Sequence, residues 1–245
     1  MLIVTNFKHE LRQFSKKNWW VYIIYFCMLL VIFLTQKANL PRVIIVTSLH
    51  FVADIFIMMM FSAYTQQKYR QGTYFQIFSL VIFISLKINN GLSEGGWYYL
   101  LADPIYILAA IKNYRLDVKK TGLKIVNFQT MVALSFLIIF SIKRFGVNTP
   151  IINTAPEWIQ TLGIFLFAIA LSTTHNERLR YEISLVALLA MVVGSAWKTA
   201  STLQSGNVDG LAISYTLLPL TVLLFYVNRW PMFFPKKILP DPYKM

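Results

Sequence analysis

Residues 43–64 read VIIVTSLHFVADIFIMMMFSAY, a predominantly apolar run of 22 residues. This length matches the roughly 20 residues that an α-helix needs to cross the hydrocarbon core of a bilayer. Asp54 is the only carboxylate in the run and His50 its only histidine. The stretch therefore predicts a transmembrane helix that carries two polar side chains near its middle.

Seven further apolar stretches flank this run along the chain. The eight predicted membrane spans cover approximately residues 19–35, 43–64, 71–87, 97–111, 125–142, 158–173, 181–199 and 211–227. The composition agrees, because 57% of the residues are hydrophobic and only 13% are charged, whereas about a quarter are charged in a soluble domain. No alternating pattern of a barrel is present, so the spans are expected to be helical. We predict an all-α membrane protein with about eight transmembrane helices.

The Lys and Arg residues predict how these spans are oriented. With the N-terminus in the cytoplasm, 17 of the 23 Lys and Arg residues fall inside and six outside, which is the bias of the positive-inside rule. The net charge of +13 is then explained by orientation and by contact with anionic lipid, rather than by nucleic-acid binding. We expect a multi-pass membrane protein with both termini in the cytoplasm.

The two ends of the chain have their own character. Residues 1–17 mix apolar and basic positions and predict an amphipathic helix on the cytoplasmic face, and residues 18–36 predict an extra N-terminal transmembrane helix. Residues 231–245 contain four prolines and predict an extended cytoplasmic tail.

A weak internal repeat organises the rest. A shift of 115 residues superimposes four pairs of identical residues, Gly91 on Gly206, Gly95 on Gly210, Pro104 on Pro219 and Asn113 on Asn228. The shift predicts two three-helix repeats, 42–115 and 156–230, joined by a linker helix at 124–144. Because one helix separates them, both units enter the membrane from the same side, in a 3+1+3 parallel-repeat bundle. Bundles of this kind bind substrate near the midplane and work by alternating access.

Ionisable groups inside spans are the first candidates for a binding site, since each costs about 2.5 to 3.5 kcal/mol to insert. His50 and Asp54 are four residues apart and share a helix face, where they can hydrogen-bond and present a carboxylate to a cationic ligand. The alternative is a structural contact between helices. Asp103 precedes Pro104, and an unwound turn beside a carboxylate is a candidate cation site. Its alternative is a hydrated charge at the outer interface.

Aromatic and amide side chains can complete a pocket for a flat heterocycle by stacking and hydrogen bonding. We add Tyr98, Tyr99, Trp197 and Tyr215 as aromatic candidates, and Asn127 and Gln160 as amide candidates. For each aromatic the alternative is packing against lipid or helices.

Several enzyme classes lack their signatures in this chain. It has no G-x-x-x-x-G-K-[ST] loop, no H-E-x-x-H pair and no G-x-S-x-G elbow, so we predict neither an enzyme nor a bound metal or cofactor. Cys27, the only cysteine, lies within the first span and predicts no disulfide.

Three stretches resemble the PnuC-type vitamin transporters. They are Phe14-Ser15-Lys16-Lys17 before the first span, Gly91-Leu92-Ser93-Glu94 followed by Pro104, and the hairpin from Trp197 through Ser205-Gly206-Asn207 to Tyr226 and Trp230. The resemblance implies the three-plus-one-plus-three fold of the SWEET transporters with an added N-terminal helix. It also implies facilitated diffusion of nicotinamide riboside, coupled to a cytoplasmic kinase that phosphorylates the cargo.

The chain departs from that family at the cargo-gripping positions. Two tryptophans and an asparagine that hold nicotinamide riboside in the family correspond to Ser184, Ala187 and Met191 here. Thiamine and riboflavin therefore stay open as cargo beside nicotinamide riboside. The alternatives are a proton-coupled carrier that uses His50 and Asp54, and a non-transporting receptor or assembly subunit with an apolar bundle centre. A homo-oligomer is compatible with each.

Overall fold

The described part of the chain folds into α-helices. The structure is a computed structural model, which describes residues 2–36, 39–89, 103–116, 151–172, 177–205 and 210–229. Within these ranges lie α1 (Leu2–Lys17), α2 (Trp19–Thr35), α3 (Leu40–Thr65), α4 (Tyr69–Asn89), α5 (Asp103–Leu116), α6 (Ile151–Ser172), α7 (Glu177–Gln204) and α8 (Gly210–Asn228). The described residues contain no strand, so the prediction of an all-helical chain is confirmed for them.

Some of these helices have the length and apolarity of membrane spans. Helix α3 and the part of α7 from Arg178 to Gln204 are long and apolar enough to cross a membrane. A third candidate exists if the two helical segments Phe7–Lys17 and Trp19–Thr35 are one broken span, in which the second segment is bent by 78° relative to the first. Ala155–Leu171 and Ala212–Asn228 are apolar but shorter. The chain thus has the character of a membrane protein. The count of eight spans stays a prediction, and the predicted linker helix at 124–144 lies outside the described residues.

Six of the helices form a closed ring. In chain order, each of α3 to α8 packs against the next, and α8 packs back against α3. Helix α2 lies outside this ring and contacts α3 and α8. Most buried side chains of the core belong to these six helices, so a binding site shared by them is expected to lie between them.

Two hydrogen bonds determine how α5 and α6 run. The Tyr106 hydroxyl donates to the Ile164 carbonyl oxygen at 3.2 Å, and the Asn113 side-chain amide donates to the Leu171 carbonyl oxygen at 3.2 Å. A step of seven residues along α5 thus corresponds to a step of seven along α6. The two helices are therefore parallel.

Helices α3 and α8 are also parallel. His50 and Tyr215 have their ring centroids 5.3 Å apart, and Phe61 and Tyr226 stack at 3.9 Å. In both pairs the residue on α8 follows the residue on α3 by 165 positions in the sequence. The other neighbours in the ring are antiparallel hairpins, so α3–α5 and α6–α8 have the same order and the same alternation of directions.

Two glycines allow α6 and α7 to approach closely. A Cβ atom added to Gly163 would lie 2.6 Å from Met191 Cγ, and one added to Gly194 would lie 2.5 Å from the Pro156 carbonyl oxygen. Both distances are below van der Waals contact, so larger residues would force the helices apart. Small residues at a helix interface are typical of packing in membranes, where close approach provides the attraction.

The amphipathic N-terminal helix α1 packs against the bundle. The ring centroid of Phe7 lies 6.1 to 6.5 Å from those of Phe56, Phe75 and Phe78. Phe14 is buried against Phe225. Its basic side chains are exposed on the opposite side, as expected for a helix at a membrane surface. The exposed set is Lys8, Arg12, Lys16 and Lys17. The apolar face of α1 therefore covers one end of α3, α4 and α8.

Candidate functional site

His50 lies at the junction of α3, α4 and α8. Its ring meets Tyr215 edge-on at 5.3 Å and Phe83 edge-on at 5.8 Å. The ring nitrogen Nδ1 is 2.9 Å from the carbonyl oxygen of Val46, one turn earlier in the same helix. The structure thus brings together two of the predicted site residues, His50 and Tyr215.

Asp54 lies one turn beyond His50 in the same helix. It is 9% exposed, and its carboxyl group makes no hydrogen bond or ion pair with any residue in the described ranges. The parallel register of α3 and α8 places it level with Pro219, 165 residues later. A carboxyl group buried in a membrane-spanning helix is a functional-site hypothesis by default, because its insertion is unfavourable.

The remaining predicted residues are spread along the ring. Asp103 is buried as the first residue of α5, and Gln160 is half-buried at the crossing of α6 and α7 beside Gly194. Trp197 is 44% exposed on α7. Tyr98, Tyr99 and Asn127 lie outside the described residues. Among the described residues no three His, Cys, Asp or Glu side chains are grouped closely enough to hold a metal ion.

Lys198 lies on the exposed surface of α7. Its ammonium nitrogen is 3.3 Å from Glu157 Oε1, and both side chains are more than a third exposed. An exposed pair of this kind contributes little to stability. Lys198 is therefore a surface residue rather than part of the candidate site.

A buried polar cluster that sequence reasoning did not identify lies inside the ring. Lys112 on α5 and Arg180 on α7 are both 0% exposed. The Arg180 guanidinium carbon lies 5.2 Å from the centroid of the Tyr64 ring, a cation–π geometry. Two other tyrosines, Tyr181 and Tyr226, are also fully buried, and the Tyr181 hydroxyl donates to the Tyr226 carbonyl oxygen. We call these five residues the basic cluster.

Hydrogen bonds hold the basic cluster in place from three neighbouring helices. The Tyr64 hydroxyl donates to Gln76 Oε1 at 2.6 Å, and Gln76 Nε2 donates to the Tyr106 carbonyl oxygen at 2.9 Å. Gly72 leaves room for the Tyr64 ring, since a Cβ there would lie 2.3 Å from it. The chain of bonds joins α3, α4 and α5, so the tyrosine over Arg180 has a fixed position.

The two cations of the basic cluster act on each other. Lys112 lies one residue beyond the predicted fourth span and Arg180 one residue before the predicted seventh. Burial, and in second place the neighbouring Arg180 charge, lowers the pKa of Lys112 to about 7. The side chain therefore changes its charge near neutral pH, whereas arginine stays protonated.

Two of the three positions that we predicted to correspond to cargo-gripping residues of the PnuC-type transporters are fully buried. Ser184 and Ala187 are 0% exposed, and Met191 packs on Gly163 of α6. Ser184 follows Arg180 by one turn, on the same side of α7. The sequence does not mark this face as buried, because the positive-inside rule already accounts for a basic residue beside the predicted span.

No protein-family model, no curated protein and no solved structure matches this chain.

Proposed function

We propose that the protein is a membrane carrier for a small vitamin-like heterocycle, which moves by facilitated diffusion and alternating access between two three-helix halves. Nicotinamide riboside is the first candidate cargo, from the PnuC-type resemblance, and thiamine and riboflavin are the others. A separate cytoplasmic kinase would retain the cargo by phosphorylating it. We place the protein in the inner membrane, with eight spans and both termini in the cytoplasm.

The observation that carries the proposal is the direction of the helices in the ring. Helices α3–α5 and α6–α8 have the same order and directions, and the halves meet through two parallel contacts, α5 with α6 and α3 with α8. Halves related in this way are typical of carriers built from parallel repeats about an axis along the membrane normal.

The same directions support an odd number of crossings between the halves. Helices α5 and α6 are parallel, and two parallel helices that both cross a membrane need an odd number of crossings between them. The one span predicted between them, 125–142, fits that number, so eight spans with two cytoplasmic termini are part of the proposal.

Buried polar groups favour a carrier over a purely structural bundle. A non-transporting subunit is expected to have an apolar, tightly packed centre, whereas this ring encloses Asp54, Lys112 and Arg180. Asp54 makes no polar contact with the described residues, and His50 with Tyr215 supplies an aromatic wall on the next turn. Together they suit a flat solute that bears a positive charge or several hydrogen-bond donors.

The first experiment is a melting assay of the detergent-purified protein with nicotinamide riboside, thiamine and riboflavin. Binding to the folded state alone at 100 times Kd adds about 2.7 kcal/mol, or roughly 5 to 10 °C in Tm for a chain of this size. Asp54→Asn should abolish the shift while the protein still melts cooperatively. Glu182→Gln, a partly exposed carboxylate on α7, is the matched control and should keep it.

The opposite results would argue against the carrier. Cooperative melting with no shift for any of these compounds favours the non-transporting alternative. Full cargo binding by Asp54→Asn, with only its Tm changed, would assign Asp54 to packing.

A proton-coupled carrier is a second candidate, because a buried carboxyl with no described partner can take up a proton. In that case uptake into proteoliposomes should collapse when a protonophore removes the proton gradient.

A further inference from the structure

A cleft lies between α1 and the bundle, at the end of the molecule where α3 and α8 finish and α4 begins. Its volume is about 70 Å³, several times the roughly 10 to 15 Å³ that one water molecule needs. We propose that this cleft binds the phosphate group of an anionic membrane lipid. The site is separate from the cargo pocket proposed around Asp54, and the proposal requires a membrane but not transport.

The directions of α1 and α2 place the cleft at the level of the lipid headgroups. The two helices are bent by 78° relative to each other, so α1 lies nearly parallel to the membrane surface when α2 crosses along the normal. Lys17 at the end of α1 and Asn18 at the bend both line the cleft. So do Gln66, which follows α3, and Arg229, which follows α8. A cleft at the ends of apolar helices and under a surface helix lies where headgroups are found.

The described side chains that line the cleft carry a net positive charge. Three are basic, Lys17, Lys68 and Arg229, and one is acidic, Glu10, which leaves a charge of +2. Glu10 Oε1 is 3.6 Å from Lys68 Nζ, and the two side chains are 31% and 47% exposed. An exposed ion pair contributes little to stability, so Lys68 can turn to a bound anion. The net charge of the lining favours an anionic headgroup.

Two contacts bring the basic side chains to the same face of α1. Lys68 reaches α1 at Glu10. The Arg229 guanidinium carbon lies 4.9 Å from the centroid of the Phe225 ring, and that ring lies 5.9 Å from the ring of Phe14 on α1. Glu10, Phe14 and Lys17 follow one another at spacings of four and three residues, so they share one side of the helix. The three cations therefore surround one cleft.

Uncharged donors complete the polar lining. Ser62 lines the cleft, and its buried hydroxyl makes no hydrogen bond with any described residue. A buried hydroxyl without a partner is unfavourable. The amide side chains of Gln66 and Gln71 line the same cleft. The oxygen atoms of a phosphate group accept several hydrogen bonds at once, and those from charged donors are the strongest.

The surroundings favour a lipid over a soluble phosphate. Buried Met59 and Phe75 belong to the lining beside its polar side chains. A lipid presents an anionic headgroup next to apolar chains, whereas a phosphate ion has no apolar part to pack against such residues. The exposed side of α1 adds Lys8, Arg12 and Lys16, which attract anionic lipid to this part of the membrane surface.

Lipid binding to the full-length protein in detergent tests the site. The protein is titrated with phosphatidylglycerol, and with phosphatidylcholine of the same acyl chains as the neutral probe, and native mass spectrometry counts the lipids bound. We expect one phosphatidylglycerol to bind at least about fivefold more tightly than phosphatidylcholine. Lys17→Gln and Lys68→Gln should each weaken phosphatidylglycerol binding about fivefold, the weight of one basic side chain at a membrane surface.

Lys16→Gln is the matched control for these variants. It makes the same charge change on the same helix, at an exposed position that does not line the cleft. Its phosphatidylglycerol affinity should equal that of the wild type. Equal losses in Lys16→Gln, Lys17→Gln and Lys68→Gln would show general attraction to the charge of α1 and overturn the site. Equal wild-type affinity for the two lipids would also overturn it.

Glu10→Gln separates a lipid site from a structural ion pair. It breaks the same Glu10–Lys68 contact as Lys68→Gln, but it raises the charge of the cleft instead of lowering it. A lipid site predicts that Glu10→Gln strengthens phosphatidylglycerol binding by about threefold or more, while Lys68→Gln weakens it. If the pair only holds α1 in place, both variants should change lipid binding in the same direction, which would contradict the proposal.

Inorganic phosphate distinguishes a lipid headgroup from a free anion. In lipid-free detergent, phosphate replaces chloride at constant ionic strength, and phosphatidylglycerol is added in a parallel sample. Phosphatidylglycerol should raise Tm by roughly 3 °C or more, and phosphate should leave it unchanged. An equal rise with phosphate, lost in Lys17→Gln and Lys68→Gln, would assign the cleft to a soluble phosphate and overturn the lipid.

Discussion

Lys112 gives the folded protein a pH dependence whose sign can be derived. Its pKa is lowered from 10.5 to about 7, mainly by burial and further by Arg180. Between pH 7 and 10 the unfolded chain binds more protons at this residue than the folded chain, so stability rises with pH. We expect the Tm of the wild type to increase from pH 6.5 to pH 9. Lys112→Met should lose most of that increase.

Single residues differed in how well the sequence revealed them. Asp54 stands out because a carboxylate within an apolar run needs a reason to be there. Lys112 and Arg180 flank predicted spans, where the positive-inside rule already accounts for basic residues, and nothing in their neighbourhood marks them as buried. Arg178 is 60% exposed and Arg180 fully buried, although only two residues separate them. Which side of the helix faces the ring is decided by tertiary packing.

At the scale of elements, the crossing of α6 and α7 depends on its glycines. In Gly194→Ala the new Cβ would lie 2.5 Å from the Pro156 carbonyl oxygen and 2.7 Å from the Gln160 backbone nitrogen. Both are backbone atoms, so the helices have to separate. Overpacking of this kind costs about 1 to 3 kcal/mol, or roughly 3 to 10 °C in Tm. Val193→Ala, at the exposed neighbouring position, should change Tm far less, and equal effects would contradict the close crossing.

Helix positions were predicted better than helix ends. The predicted span 43–64 falls within α3, and 181–199 falls within α7, which extends from Glu177 to Gln204. The helices are longer than the apolar windows because their hydrogen bonding continues through polar residues. Helix α6 begins at Ile151 rather than near 158, and it includes Pro156. Pro156 removes one backbone hydrogen bond but keeps a helical φ, so the helix continues through it. The apolar window that begins at 158 therefore missed the start of the helix.

At the scale of the whole molecule, the repeat was predicted from four pairs of identical residues, and one of these pairs, Asn113 and Asn228, is not equivalent in structure. Asn113 is buried and donates to α6, whereas Asn228 is exposed at the end of α8. What the two halves share is the order and direction of their helices. Neighbour relations between helices that are distant in sequence depend on side-chain packing, and a comparison of one sequence with itself does not contain that information.

The direction of the halves leads to a labelling experiment. Because α5 and α6 are parallel and α7 runs back, the end of α5 and the start of α7 lie at the same end of the helix ring. In a Cys27→Ala background, Arg115→Cys and Arg178→Cys, both exposed, should react with an impermeant maleimide from the cytoplasmic side only. Gln204→Cys, exposed at the far end of α7, should react from outside only.

Opposite sidedness for Arg115→Cys and Arg178→Cys would exclude the parallel halves, and with them alternating access between two repeats. If all three positions react but from the opposite sides, the halves are still parallel and the protein is inverted in the membrane. The basic cluster would then lie at the outer end of the helix ring, and the termini would not be cytoplasmic.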